Sequence, residues 1–299
     1  MIWVAWRQQR LQIFAVFGVV AVISAVLAYV RADAVTLLPD KALVSDTYNM
    51  FLQYYVFLLL VFPVLFGMFF GAPLFAREIE HGTHVFGLTQ SVSRTRWAVT
   101  KLAMAGSALT AATVILGLVG VWALEPINFV MQGRMENGVF EVQGVALVGY
   151  TLLAFAVGAV AGLVLRNTLA AMVVTLILYT VVVMTVAHNV REHYATPSYF
   201  ESEVQTVTGQ AQPTDSWMVE SGLVDANGNH IRASNCMSST DVPGCTNVNQ
   251  YAKSYAKVHL PTQFWRFQFT ELGLFILLST GVLGVGALAA RRRLARRSW

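Results

Sequence analysis

Arg77, Glu78, Glu80, His81, Gly82 and Thr83 bring both signs of charge, an imidazole and a hydroxyl together around a glycine. They lie in the stretch Gly71 to Lys101, GAPLFAREIEHGTHVFGLTQSVSRTRWAVTK, which joins two long apolar runs. Glu78, His81 and His84 stand at three-residue steps, so on a helix they could face one way, as zinc ligands must. Gly82 breaks that helix and no fourth ligand is in view, so no metal is expected. The group offers charge instead: an arginine and two carboxylates on a short polar segment, suited to pairing with a soluble protein.

Two other constellations have alternative readings. Cys236 and Cys245, the chain's two cysteines, read as one local disulfide in an extracytoplasmic segment, with free thiols as the alternative. Phe62, Phe66, Phe69 and Phe70 repeat at three- and four-residue steps and share a helix face. With Tyr179 and Met184 from a later apolar run, Phe62, Phe66 and Phe69 could line a path for apolar cargo. Helix packing or lipid contact is the plainer account of such a stripe.

Absences narrow the function. There is no G-x-x-x-x-G-K-[ST], and the dipeptide Gly-Lys does not occur, so the chain carries no phosphate-binding loop and no nucleotide cofactor of its own is expected. Gly-x-Ser-x-Gly and HExxH are missing as well, and no nucleophile has a base in reach, so no enzyme is expected. The apolar run cores hold no Asp, Glu, Lys, Arg or His, which disfavours an ion-driven carrier. No basic, aromatic-interleaved soluble face exists, so nucleic acid is not a partner.

The elements that must position these residues are membrane helices. The chain has 299 residues, 56% hydrophobic and 12% charged, with mean hydropathy +0.57. That is far from the quarter-charged average of soluble domains. Six runs, Leu11–Val30, Phe51–Ala76, Leu102–Leu124, Val145–Leu165, Thr168–Ala187 and Leu272–Ala290, have about the length that crosses a hydrocarbon core as helix. Lys and Arg then set orientation. Both termini cytoplasmic places Arg7, Arg10, Arg77, Arg94, Arg96, Lys101, Arg166 and the terminal RRRLARR cluster inside, against anionic headgroups.

The expected fold is therefore an all-α membrane protein with six transmembrane helices. Trp3, Trp6, Arg7 and Arg10 suggest a short amphipathic interface helix ahead of the first span; a secretory signal is the weaker alternative. Arg31–Met50 and Glu125–Gly144 are read as outside loops, the latter with an Asn137-Gly138 turn. Arg166-Asn167 makes a tight hairpin, and Ala154, Ala156, Gly158, Ala161 and Gly162 form a close-packing face. The organisation predicted is 1–187 as a transmembrane region, 188–270 as a loop-rich extracytoplasmic cap, and 271–299 as the last span and basic tail.

Ala76-Arg77-Glu78-Ile79-Glu80-His81-Gly82-Thr83, followed by Gln90-Ser-Val-Ser-Arg94-x-x-Trp97 and Lys101, resembles the cytoplasmic loop of type-2 ABC exporter permeases, in an actinobacterial-type subgroup. The six-span layout and the outside segment before the last span are similar too, although the cap is longer than in many members. The resemblance implies a non-catalytic permease that pairs with a second permease, a copy of itself or a similar chain, and with two copies of a separate cytosolic ATPase, which would hold the ATP and Mg. It further implies that Arg77, Glu78, Glu80, His81, Gly82 and Thr83 couple to that ATPase, and that a hydrophobic or amphipathic compound is exported. A membrane scaffold or sensor, whose outside cap binds an envelope ligand, is the alternative from a different class.

Overall fold

The structure, a computed structural model, describes residues 2–81, 93–131, 133–203, 215–225, 228–232 and 251–295. A backbone in hydrocarbon must satisfy its own N–H and C=O groups, so the apolar runs fold as helices. They are α1 (Ile2–Leu37), α2 (Lys41–Phe66), α3 (Ala72–Glu80), α4 (Arg94–Leu124), α5 (Ala146–Leu165), α6 (Thr168–Thr185) and α7 (Phe264–Ala295). A π-helical turn, Gly67–Gly71, joins α2 and α3 into one span. Among the described residues, six spans are long and apolar enough to cross a membrane.

Two expected boundaries move. The interface helix is not a separate element but the opening turns of α1, because no Gly or Pro interrupts the chain before Gly18. The Arg31–Met50 loop is mostly helix: α1 runs on to Leu37 and α2 starts at Lys41. Asp40 makes that restart possible, its Oδ1 accepting from the N–H groups of Ala42 (3.0 Å) and Leu43 (3.1 Å).

The protein is not all-α. Strands β1 (Ser198–Glu203), β2 (Trp217–Asp225), β3 (His230–Arg232) and β4 (Tyr251–His259) form an antiparallel sheet in the order β1-β4-β2-β3. The alternation Lys253, Tyr255, Lys257 against Ser254, Ala256, Val258 gives β4 two distinct faces. Gly222, opposite Tyr255, leaves room for its ring: a Cβ there would lie 2.6 Å from the tyrosine. Trp217 and His259 anchor the sheet on α7 through Phe267, at ring distances of 6.4 and 4.8 Å.

α5 is the axis of the bundle. It packs on α2, α3, α4, α6 and α7, and its span is 78% buried where that of α7 is 17%. The small residues expected to pack closely do so: a Cβ on Gly158 would sit 2.4 Å from the Gly67 carbonyl oxygen, and one on Gly162 2.3 Å from that of Ala72. Within Glu125–Gly144, expected as an outside loop, the residues from 133 onward are mostly buried, with Met135, Phe140 and Val142 among them. Gln268 of α7 serves two backbone groups there, its Oε1 accepting from Ala146 N–H at the start of α5 (2.7 Å) and its Nε2 donating to Phe140 O (2.9 Å). The Asn137-Gly138 turn is present, with Gly138 at φ +89°.

Candidate functional site

Glu78 and Glu80 close α3 rather than open a helix, so their carboxylates sit at the end of the macrodipole that disfavours negative charge. Each is compensated from another element. Glu78 accepts from Lys101 Nζ of α4, a lysine that is itself buried and lies 4.9 Å from the Trp97 ring centre. Trp97 in turn packs on Phe75 of α3 at 5.5 Å, and Gln9 of α1 donates to Lys101 O at 3.4 Å. Three helices thus meet at one ion pair.

Glu80 reaches a different helix. Its Oε1 accepts from Thr168 N–H at 2.9 Å and its Oε2 from the Thr168 hydroxyl at 2.6 Å. Thr168 is the first residue of α6, where unpaired N–H groups and the dipole both favour a carboxylate. Asn167 completes the cap by accepting from Ala170 N–H at 2.8 Å. The predicted Arg166-Asn167 hairpin is observed, with Arg166 in the left-handed region at φ +55°. The segment leaving the second span is therefore fastened to the fifth.

Arg77 and His81 are exposed, and His81 turns back onto the end of α3, its N–H donating to Arg77 O at 3.1 Å. Gly82 and Thr83 lie outside the described residues. Cys236 and Cys245 do too. Among the described residues no group of three or more His, Cys, Asp or Glu could hold a metal.

The aromatic residues named as a cargo path divide between two packing regions and the surface. Phe62 and Phe66 pack together at 5.7 Å in the cluster shared by α1, α2 and α4. Tyr179 is buried in the cluster around α5 and α7. Phe69 and Met184 are exposed, at 55% each.

One buried polar network has no local signature in the sequence. Arg191, Glu141 and Glu271 are nearly inaccessible. The Arg191 guanidinium donates through Nε (3.0 Å) and Nη2 (2.9 Å) to the two oxygens of Glu271, and through Nη1 to Glu141 (2.5 Å) and Asn137 (3.0 Å). Tyr150 of α5 accepts from Nη2 and donates to Glu271 at 2.5 Å. Glu141 also accepts from Gly138 N–H at 2.6 Å. Nearby, burial pushes the Glu136 carboxyl above its ordinary value, and the charge of Glu141 adds to the shift. This network fastens the buried 133–145 segment to α5, to α7 and to the chain just after α6. Each charged member stands beside an apolar run rather than inside one, and a buried guanidinium requires its carboxylates only once the fold is known.

A bundle of six apolar spans around α5, with polar side chains fastening both of its ends, defines a multi-pass membrane protein. A family model described as ABC-2 membrane transporter related matches residues 17–191, more than half of the chain, and the chain belongs to that family. No curated protein and no solved structure matches it. Membership makes it an ABC-2 type permease, a transmembrane subunit of a generally non-catalytic kind whose associate is an ABC ATPase.

Proposed function

We propose that the chain is the permease of an ATP-driven exporter that moves a hydrophobic or amphipathic compound, with both termini cytoplasmic. A pair of cytosolic ATPase subunits would supply ATP hydrolysis, with ATP and Mg bound there, and a second permease copy would complete the path. Coupling runs through the Arg77–Lys101 segment. The observation that carries this reading is the double fastening of that segment, Glu78 to Lys101 of α4 and Glu80 to Thr168 of α6. A partner that displaces the segment displaces the second, third and fifth spans as a body, the kind of transition by which closure at one end becomes opening elsewhere.

Because Glu78 and Glu80 are engaged within the chain and Arg77 faces a cleft beside Lys101, the direct contacts left for the ATPase fall to His81 and to the chain that follows, with Gly82 and Thr83. The cargo path is assigned to Phe62, Phe66, Phe69, Tyr179 and Met184, of which Phe69 and Met184 are open to a neighbouring copy or to lipid. The test is purification of the tagged chain from its native membrane in mild detergent, with mass spectrometry of what co-elutes. A stoichiometric P-loop ATPase is expected. Envelope proteins alone would overturn the reading and support a scaffold or sensor acting through the sheet.

A further inference from the structure

A cleft of about 520 Å³ opens between α1, α3 and α4, beside the Glu78–Lys101 pair. Gln8, Gln9 and Gln12 line one wall, Arg77 and His81 the other, and Leu11, Pro73 and Leu74 its apolar side. The charges do not cancel. Lys101 and Glu78 neutralise each other, whereas Arg77 has no carboxylate within ion-pair distance among the described residues. Gln9 adds a second unmet demand, because its side chain is buried and its Oε1 has no donor. An unpaired buried acceptor costs free energy comparable to a lost hydrogen bond. Gln12 is already committed: it donates to Phe69 O at 3.3 Å, a carbonyl that Pro73, four residues on, has no N–H to serve.

The surroundings say what chemistry would fill the cleft. Its mouth adjoins exposed apolar surface, Leu11 at 79%, Phe14 at 63% and Phe69 at 55%. Trp3, Trp6 and Arg7, residue types that settle at headgroup depth, stand one to two turns away along α1. A ligand that meets all of these is an amphiphile with an anionic group for Arg77, a hydroxyl or amine donor for the glutamine wall and a chain for the apolar flank. We propose that this cleft binds one membrane phospholipid, its phosphate on Arg77 and its headgroup donor on Gln9. A soluble protein partner would satisfy the arginine but would not cover Leu11, Phe14 and Phe69. The inference does not rest on the exporter reading, because binding is measured on the chain alone.

The experiment is native mass spectrometry of the full chain in mild detergent, titrated with dioleoylphosphatidylglycerol and, in a separate arm, with inorganic phosphate. The chain is expected to retain one phosphatidylglycerol. Arg77→Ala should weaken retention about tenfold, a loss typical of a charge-assisted hydrogen bond, and Arg77→Lys should recover part of it. Gln9→Met, close in volume, should weaken retention while leaving the helical circular dichroism unchanged, which a purely structural glutamine would not do. Arg10→Ala, a cation outside the cleft, should bind as the unaltered chain does. Retention unchanged in Arg77→Ala, inorganic phosphate binding as tightly as the lipid, or a co-purifying protein filling the cleft would each overturn the proposal.

Discussion

The carboxylate of Glu80 takes two hydrogen bonds from one residue, Thr168: the backbone N–H at 2.9 Å and the hydroxyl at 2.6 Å. Residues 88 positions apart are thereby held end to start, the last turn of α3 against the first of α6. Glu80→Ala removes both acceptors and is expected to speed amide exchange at the beginning of α6. Thr168→Val keeps the N–H bond and should have the smaller effect. Hydrogen exchange resolved to residues 168–171 separates the two, and equal exchange in Glu80→Ala and the unaltered chain would deny Glu80 its capping role.

Arg191 stands between two buried carboxylates, so its loss leaves them facing each other without a cation. Arg191→Met is expected to destabilise the protein by about 3–5 kcal/mol, the usual cost of breaking a buried pair from one side. Replacing Glu141 and Glu271 by Gln in the same chain should recover part of that loss. Thermal unfolding in detergent checks both, and a triple variant no better than Arg191→Met would mean that the charges are not what matters.

Gly158 and Gly162 let α5 touch the backbone of the second span. Gly158→Leu has nowhere to place its side chain, since a Cβ alone meets the Gly67 carbonyl oxygen at 2.4 Å. The expected cost is about 1–3 kcal/mol or more, seen as a lower melting temperature. Gly281→Ala, at a position where a Cβ meets nothing within 4 Å, is the control and should melt as the unaltered chain does.

The sheet carries a pH dependence with two separable windows. Burial holds His259 below its ordinary 6.5, partly offset by its bonds to Gln263 and to the Glu192 carbonyl and by the Glu192 charge. In the interval below pH 6.5 the unfolded chain binds a proton that the folded chain does not. The stability His259 contributes is therefore complete above pH 6.5 and is lost as pH falls through the folded value. Glu201 and Glu220 are held below 4.5, first by the hydroxyls of Tyr199 and Tyr255, so their contribution fades only below pH 4.5. Melting followed from pH 7 to 5 should fall for the unaltered chain and stay flat for His259→Gln.

The spans could be read from the sequence because their signal is local: a run of about 20 apolar residues announces itself. So do the Asn137-Gly138 turn and the small-residue face of α5. The sheet is hidden because β1 and β4 pair residues 50 to 60 positions apart and β4 alternates Lys and Tyr with Ser and Ala, a pattern easily taken for polar loop. The fastening of Glu80 to Thr168 was hidden for the same reason. The charged group and the family resemblance mark Glu80 as functional, but which helix it caps is a matter of tertiary packing. Arg191 and Glu271 each stand at the edge of an apolar run, where charge ordinarily marks the water boundary, and only their meeting identifies a buried network.

An ATPase that works this permease through the Arg77–Lys101 segment must move both the start of α4 and the start of α6. The most direct measurement is hydrogen exchange on the co-purified complex in lipid nanodiscs, with and without ATP and vanadate. The account expects exchange to change at residues 93–101 and 168–171 together, and the change at 168–171 to vanish in Glu80→Ala while that at 93–101 remains. Changes confined to the ATPase, with both permease segments unaltered, would contradict it.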